Sequence, residues 1–246
     1  MKHHIPALLL LAGIAAAHAT PSGLNNIPTA DTTPQGVFVL QGFTTLGENR
    51  DADFNLGFKT GIDLKAVKLE LGLASHILPG NGGPVTVHGK VAVPLGEGLP
   101  TLAAGAANIS FSDRYRRRAG DTFAYFVASQ DFQWFRLHAG LAVQDSQPLP
   151  FVGIDKTFRI ATTQPASDGK TAKRGGAKSA PKKETVMRDL FTLRADAIQQ
   201  TDHRWLASAG VLIPVCKHFV LETWGNFPTD GGDASVTIKA NFVFTF

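Results

Sequence analysis

Apolar and polar residues alternate one by one through long stretches of this sequence, and that habit restricts the chain to β structure. The last segment is the clearest case. Val236, Ile238, Ala240, Phe242, Phe244 and Phe246 are apolar, Ser235, Thr237, Lys239, Asn241 and Thr245 stand between them, and Val243 is the exception. Side chains of a strand point alternately to opposite faces, so a period of two gives one oily and one wet face. The same pattern runs through Val67, Leu69, Leu71 and Leu73 against Lys68, Glu70 and Gly72, and through Phe135, Leu137, Ala139, Leu141 and Val143 against Arg136, His138, Gly140 and Gln144. It recurs in Val85, Val87, Val91 and Val93 and in Phe191, Leu193, Ala195 and Ala197.

Turn-forming clusters interrupt the alternation at short intervals, for instance Gly47-Glu48-Asn49, Pro79 to Gly83, Gly96-Glu97-Gly98 and Pro228 to Asp233. Twelve strands are predicted, at about 36–45, 52–62, 65–76, 84–94, 101–111, 121–130, 133–143, 149–158, 187–199, 203–213, 218–226 and 234–246. Strands with turn punctuation mean an all-β sandwich or barrel. Their length decides between the two environments: nine or more residues suit a tilted membrane-crossing strand, whereas soluble strands usually have about five or six. Twelve is also even, as bacterial barrels require. Small residues on the wet faces, Gly57, Gly72, Ala92, Gly140 and Gly210, fit a curved wall. The expected fold is therefore a transmembrane antiparallel β-barrel of about twelve strands. Beyond the N-terminus no apolar run approaches the roughly 20 residues of a membrane helix. The single cysteine, Cys216, has no internal disulfide partner, and no Cys/His spacing suggests zinc.

Lys2, the apolar run Ile5 to Ala16 and Ala17-His18-Ala19 before Thr20 read as a secretory signal peptide over 1–19. Residues 20–35 are expected as a periplasmic lead and 36–246 as the barrel, interrupted by a flexible basic insertion at about 160–185. Between Pro165 and Glu184 that insertion carries six Lys or Arg against Asp168 and Glu184, with almost no large apolar residue.

Two motifs resemble known families. The alternating Ala240, Phe242, Phe244 and C-terminal Phe246 resemble the terminal β-signal of Gram-negative outer-membrane barrels, which implies reading by the barrel-insertion machinery. Gly23-Leu24-Asn25-Asn26-Ile27-Pro28-Thr29-Ala30, with Pro34 and Gly36, is similar to the opening of YjbH-type outer-membrane proteins linked to exopolysaccharide production. In length and strand count the chain also resembles the monomeric twelve-stranded oligosaccharide porins of the KdgM kind.

The wet faces carry Lys59, Lys68, Glu70, His88, Lys90, Arg136, His138, Arg194, Asp196, Glu222 and Lys239, expected to line the lumen. Cations exceed anions there, which favours anionic solutes. The same residues could instead pair and fill a closed interior. Arg114, Arg116, Arg117 and Arg118 around Tyr115 form a candidate outer-loop contact for the phosphates of lipopolysaccharide or an acidic polysaccharide. Trp205, Phe219 and Phe43 are candidates for aromatic girdles. Lumen histidines His88 and His138 and strand serines Ser110 and Ser208 are the residue types a hydrolase would use, but no G-x-S-x-G occurs and no catalytic residue is assigned. No cofactor, metal or nucleic acid is expected. The expected partners are outer-membrane lipid, lipopolysaccharide, the insertion machinery and a saccharide or small anionic solute. Three functions remain open: a narrow channel or export-associated barrel, a non-conducting structural or surface-interaction barrel, and a membrane-embedded acyl hydrolase.

Overall fold

The computed structural model describes residues 21–47, 50–77, 85–111, 121–165 and 183–246. Twelve strands form one closed barrel: β1 Val37–Gly47, β2 Arg50–Asp63, β3 Lys68–Ile77, β4 Val85–Pro94, β5 Thr101–Ile109, β6 Phe123–Asp131, β7 Arg136–Gln144, β8 Gln147–Pro165, β9 Lys183–Gln199, β10 Trp205–Cys216, β11 Phe219–Pro228 and β12 Ser235–Thr245. Every strand pairs antiparallel with its chain neighbours, and β1 closes on β12 from Val37↔Thr245 to Gly47↔Ser235. Closure matters because it leaves no unpaired sheet edge around the wall.

One rim carries Gly36, Phe246 and the short connections at 64–67, 95–100, 132–135 and 217–218; we call it the terminal rim. The opposite rim carries the turn at Asp145 and Ser146, both at positive φ, as a two-residue hairpin turn demands, and the loops at 200–204 and 229–234.

The alternation read from the sequence has the expected polarity. Leu71, Leu73, Phe126, Val152, Ile238, Phe242 and Phe244 stand exposed on the outer surface, while their neighbours in sequence turn inward. Inward glycines stand beside bulky inward side chains. A Cβ on Gly72 would meet His88, one on Gly140 would meet Phe151, and one on Gly210 would meet Trp224, each at less than a van der Waals distance. Small opposite large is how a narrow barrel fills its interior.

Four expectations need correction. The insertion expected at 160–185 is shorter, because β8 and β9 stay paired out to Pro165↔Lys183; apolar Ile160 and Val186 continue the strand pattern within a composition that otherwise reads as linker. Phe43 is buried inside the barrel and belongs to no girdle. An outer aromatic cluster lies instead where Phe38, Phe58 and Phe244 meet, with Phe219 against Phe242 beside it. Lys68 has lumen parity but sits exposed at the first position of β3, on the terminal rim. The described part of the lead, 21–35, does not hang below the barrel but folds into its interior. Residues 1–20, the Arg114 to Arg118 cluster and the 166–182 part of the insertion lie outside the described residues.

Candidate functional site

The lumen has two sides. Strands β5 to β8 present Ala103, Ala107, Phe123, Tyr125, Val127, Ala142, Leu149 and Phe151, which pack into an apolar cluster. The rest of the wall, β1 to β4 and β9 to β12, is mostly polar and charged, with Gln41, Asn55, Lys59, Glu70, His88, Lys90, Asp196, Ser208, Glu222, Lys239 and Asn241 buried beside a few apolar residues such as Phe43 and Trp224. Residues 21–35 fit between these sides and match both.

Their local form follows from the sequence. Asn25-Asn26 makes a two-residue turn, where Asn is common and where both side-chain amides are free to reach the wall. Leu24 and Ile27 face each other across it through a 3.0 Å backbone hydrogen bond, and Gly23 bridges Pro28. Leu24, Ile27 and Ala30 then join the apolar cluster. Gly153 and Gly61 leave room for them: a Cβ on Gly153 would strike Leu24 and Ile27, and one on Gly61 would strike the Thr33 carbonyl. Burying Leu24 and Ile27 contributes roughly 1.5–3 kcal/mol each.

The polar atoms of the segment meet the charged wall. Glu70 accepts from the Ser22 backbone N–H at 2.7 Å and hydroxyl at 2.5 Å, and from the Thr33 backbone N–H at 2.7 Å and hydroxyl at 2.9 Å. The Lys90 ammonium donates to the carbonyls of Ser22, Thr29 and Asp31 and stands 3.7 Å from Glu70. Lys59 reaches the Ser22 hydroxyl. At the turn, Asp196 accepts from the backbone N–H groups of Asn25 and Asn26, and the Asn25 amide donates to Ser208 at 2.9 Å. The Asn26 amide donates to Asn226. Buried polar groups are costly without partners, so each of these contacts holds the segment and also completes the wall.

Asp31 ends the sequence of contacts. It takes two 2.6 Å hydrogen bonds from Arg136 at the terminal rim. Burial alone would raise its carboxyl pKa, but the Arg136 charge and hydrogen bonds more than offset this and hold it below the ordinary value. Beyond the segment, Glu222 pairs with Arg194 at 2.6 Å and Lys239 at 3.6 Å and accepts from Asn241. On the opposite rim Arg204 grips Asp202 and Asp230, which lowers both carboxyl pKa values.

Of the residues expected in the lumen, Lys59, Glu70, His88, Lys90, His138, Asp196, Glu222 and Lys239 are buried there. Arg136 and Arg194 are partly buried beside them, and Lys68 is the exception. Ser129 was missed. Its hydroxyl is 2.7 Å from His138 Nδ1 and accepts from the Ala30 backbone N–H at 2.9 Å, while His138 Nε2 stands 3.8 Å from Asp155. That last gap is too long for a hydrogen bond, and Ala30 covers the serine, so the row serves here as an anchor for the segment. Ser208, one of the two candidate strand serines, joins the Asp196 cluster at 2.7 Å. The signal for the whole arrangement lay in residues 24–30: an Asn-Asn turn flanked by large apolar residues has little reason to exist in a solvated lead.

No family model matches the chain, and no curated protein sequence matches it. Among solved structures, the chain is similar to the KdgM porin (TM-score 0.53, 6% identity, 84% of this chain and 99% of that one). A structure described as KdgM porin in complex with disordered oligogalacturonate aligns nearly as well (TM-score 0.51, 6% identity, 85% and 99%). At such identity the likeness is one of fold. None of these findings supports the YjbH-type link; the stretch that carries that resemblance is the one folded into the lumen. What the chain shares with the KdgM porin is a closed, twelve-stranded, antiparallel all-β barrel.

Proposed function

We propose that this chain is an outer-membrane barrel of a Gram-negative bacterium that serves as a narrow channel for saccharides or small anionic solutes. The observation that carries the reading is the reversal of polarity across the wall. The outer surface is a band of exposed Leu, Val, Ile and Phe, whereas Lys59, Lys90, Arg194 and Lys239 point inward with Glu70 and Glu222. An apolar belt around a charged interior is the design of a polar path through lipid. The shared fold with a porin supports the reading, and the oligogalacturonate complex of that relative is compatible with a saccharide solute. Secretion by the 1–19 leader and recognition of Ala240, Phe242, Phe244 and Phe246 by the insertion machinery complete the proposal.

A second reading, a non-conducting structural barrel, is favoured by one observation: residues 21–35 lie in the path. Refolded protein in planar bilayers tests the choice. The channel reading expects discrete current steps with anions preferred over cations. Absence of current even when the lumen is emptied by mutation would leave the structural reading.

A further inference from the structure

We propose that residues 21–35 are a removable internal ligand, a gate that occupies a saccharide-binding track on the lumen wall and keeps the channel closed until it withdraws. This rests on the channel reading above.

The contacts of the segment are those a saccharide would make. Hydroxyls of Ser22 and Thr33 donate to the Glu70 carboxylate. Amide N–H groups of Asn25 and Asn26 donate to Asp196. Acceptor oxygens of Ser22, Thr29 and Asp31 face the Lys90 ammonium. Across the lumen, Leu24 and Ile27 lie on the apolar side that contains Phe123, Tyr125 and Phe151, a surface suited to the C–H faces of a sugar ring. A wall with carboxylates and an ammonium on one side and aromatic rings on the other takes a solute rich in hydroxyl, amide and carbonyl groups.

The segment is also built to leave. The barrel ladder closes without it, each strand hydrogen-bonded to two neighbouring strands. Among the described residues its one ladder-type pairing with a wall strand is the parallel bridge Gln35↔Gly61, and Pro34 O accepts from Val37 N where the chain enters β1. Otherwise wall side chains hold its backbone N–H and C=O groups and its polar side chains, contacts that water or a solute can replace. Its covalent link to the barrel is Gly36, at φ +73° on the terminal rim, where a glycine without Cβ strain serves as a pivot. Withdrawal through that rim breaks no strand pairing and frees Glu70, Lys90 and Asp196 together.

The test uses full-length protein carrying Cys216→Ser, which removes an exposed thiol. Asn25→Cys and Ser208→Cys then place one thiol on the segment and one on the wall, where the native side chains are 2.9 Å apart, to be joined by a disulfide or a short reducible bis-thiol reagent. In planar bilayers, cross-linked protein is expected to stay closed, and reduction to raise the open fraction at least about tenfold. Gly153→Leu, whose side chain would take the space of Leu24 and Ile27, should open the channel without reduction. Maltotriose added to that open variant should interrupt the current. Cross-linked protein that conducts as freely as reduced protein would overturn the gate and leave the channel reading standing. Uninterrupted current would overturn the saccharide track. If neither reduced protein nor correctly folded Gly153→Leu ever conducts, the channel reading itself fails, and the gate with it.

Discussion

Lys90 is 2% exposed in a structure whose outer surface is largely apolar, and it bears its charge there because three carbonyls and Glu70 surround it. Leu71, one residue from Glu70 in β3, is 50% exposed. The inversion was legible, since parity along a strand assigns a face. Depth along the strand was not, because Lys68 and Glu70 share parity but only Glu70 reaches the interior. Ser129 escaped notice because a single serine after the stretch Phe123 to Ala128 gives no signal until His138 and Ala30 are brought beside it. Leu71→Arg should cost about 2–4 kcal/mol if the residue lies near the bilayer midplane, while Lys68→Arg at the rim should cost little; urea titration of folding into lipid vesicles measures both. Asp31 gives a pH dependence. Its carboxyl is held below the ordinary 3.8 by Arg136, so its contribution to seating the segment is complete above that value and is lost as pH falls through the lower folded one. Channel opening should accordingly stay constant from neutral pH to about pH 5 and rise only below about pH 4. Asp31→Asn should open more often already at neutral pH.

At the scale of the element, β8 and β9 differ from the other strands. β9 pairs with β10 only as far as Thr192↔Leu212, and β8 pairs with β7 only as far as Asp155↔Arg136, yet the two continue together to Pro165↔Lys183. The hairpin therefore extends past the terminal rim as a two-stranded ribbon, with Phe158 stacked on Phe191 at its base and an irregularity at Phe158/Arg159 just beyond. Sequence reading ends β8 about seven residues early and begins β9 about four residues late, since Thr, Gln and Lys at the outer end resemble a linker when the partner strand is unknown. Because the ribbon pairs with nothing else in the wall, replacing residues 160–188 by an Asn-Gly turn should leave a closed barrel. Heat-modifiable mobility on gels, unchanged from the parent apart from mass, is the expected result; loss of that mobility would mean that the ribbon is needed for closure.

For the whole molecule, the number and order of strands could be read from the sequence because alternation and turns are local. The filled lumen could not, since the contacts of Asn25 with Asp196 and Ser208 span the chain and become visible only once the wall has curved around them. Gly36, Phe246 and the short connections share one rim, which bacterial barrels place in the periplasm. The ribbon extends from that same rim out to Pro165↔Lys183, so protease added to intact cells is expected to spare the basic sequence Lys170 to Lys183 and to cut it after the outer membrane is permeabilised. Cleavage in intact cells would reverse the orientation. The central claim, that the outer surface is solvated by lipid, is tested most directly by nitroxides placed one at a time at Leu71, Phe126, Val152 and Ile238, on four different strands around the barrel, in protein reconstituted into vesicles. Each should collide readily with oxygen and hardly at all with a water-soluble nickel complex, while a nitroxide at Glu97 in the turn shows the opposite preference; nickel collisions at the four positions as frequent as at Glu97 would contradict a membrane barrel.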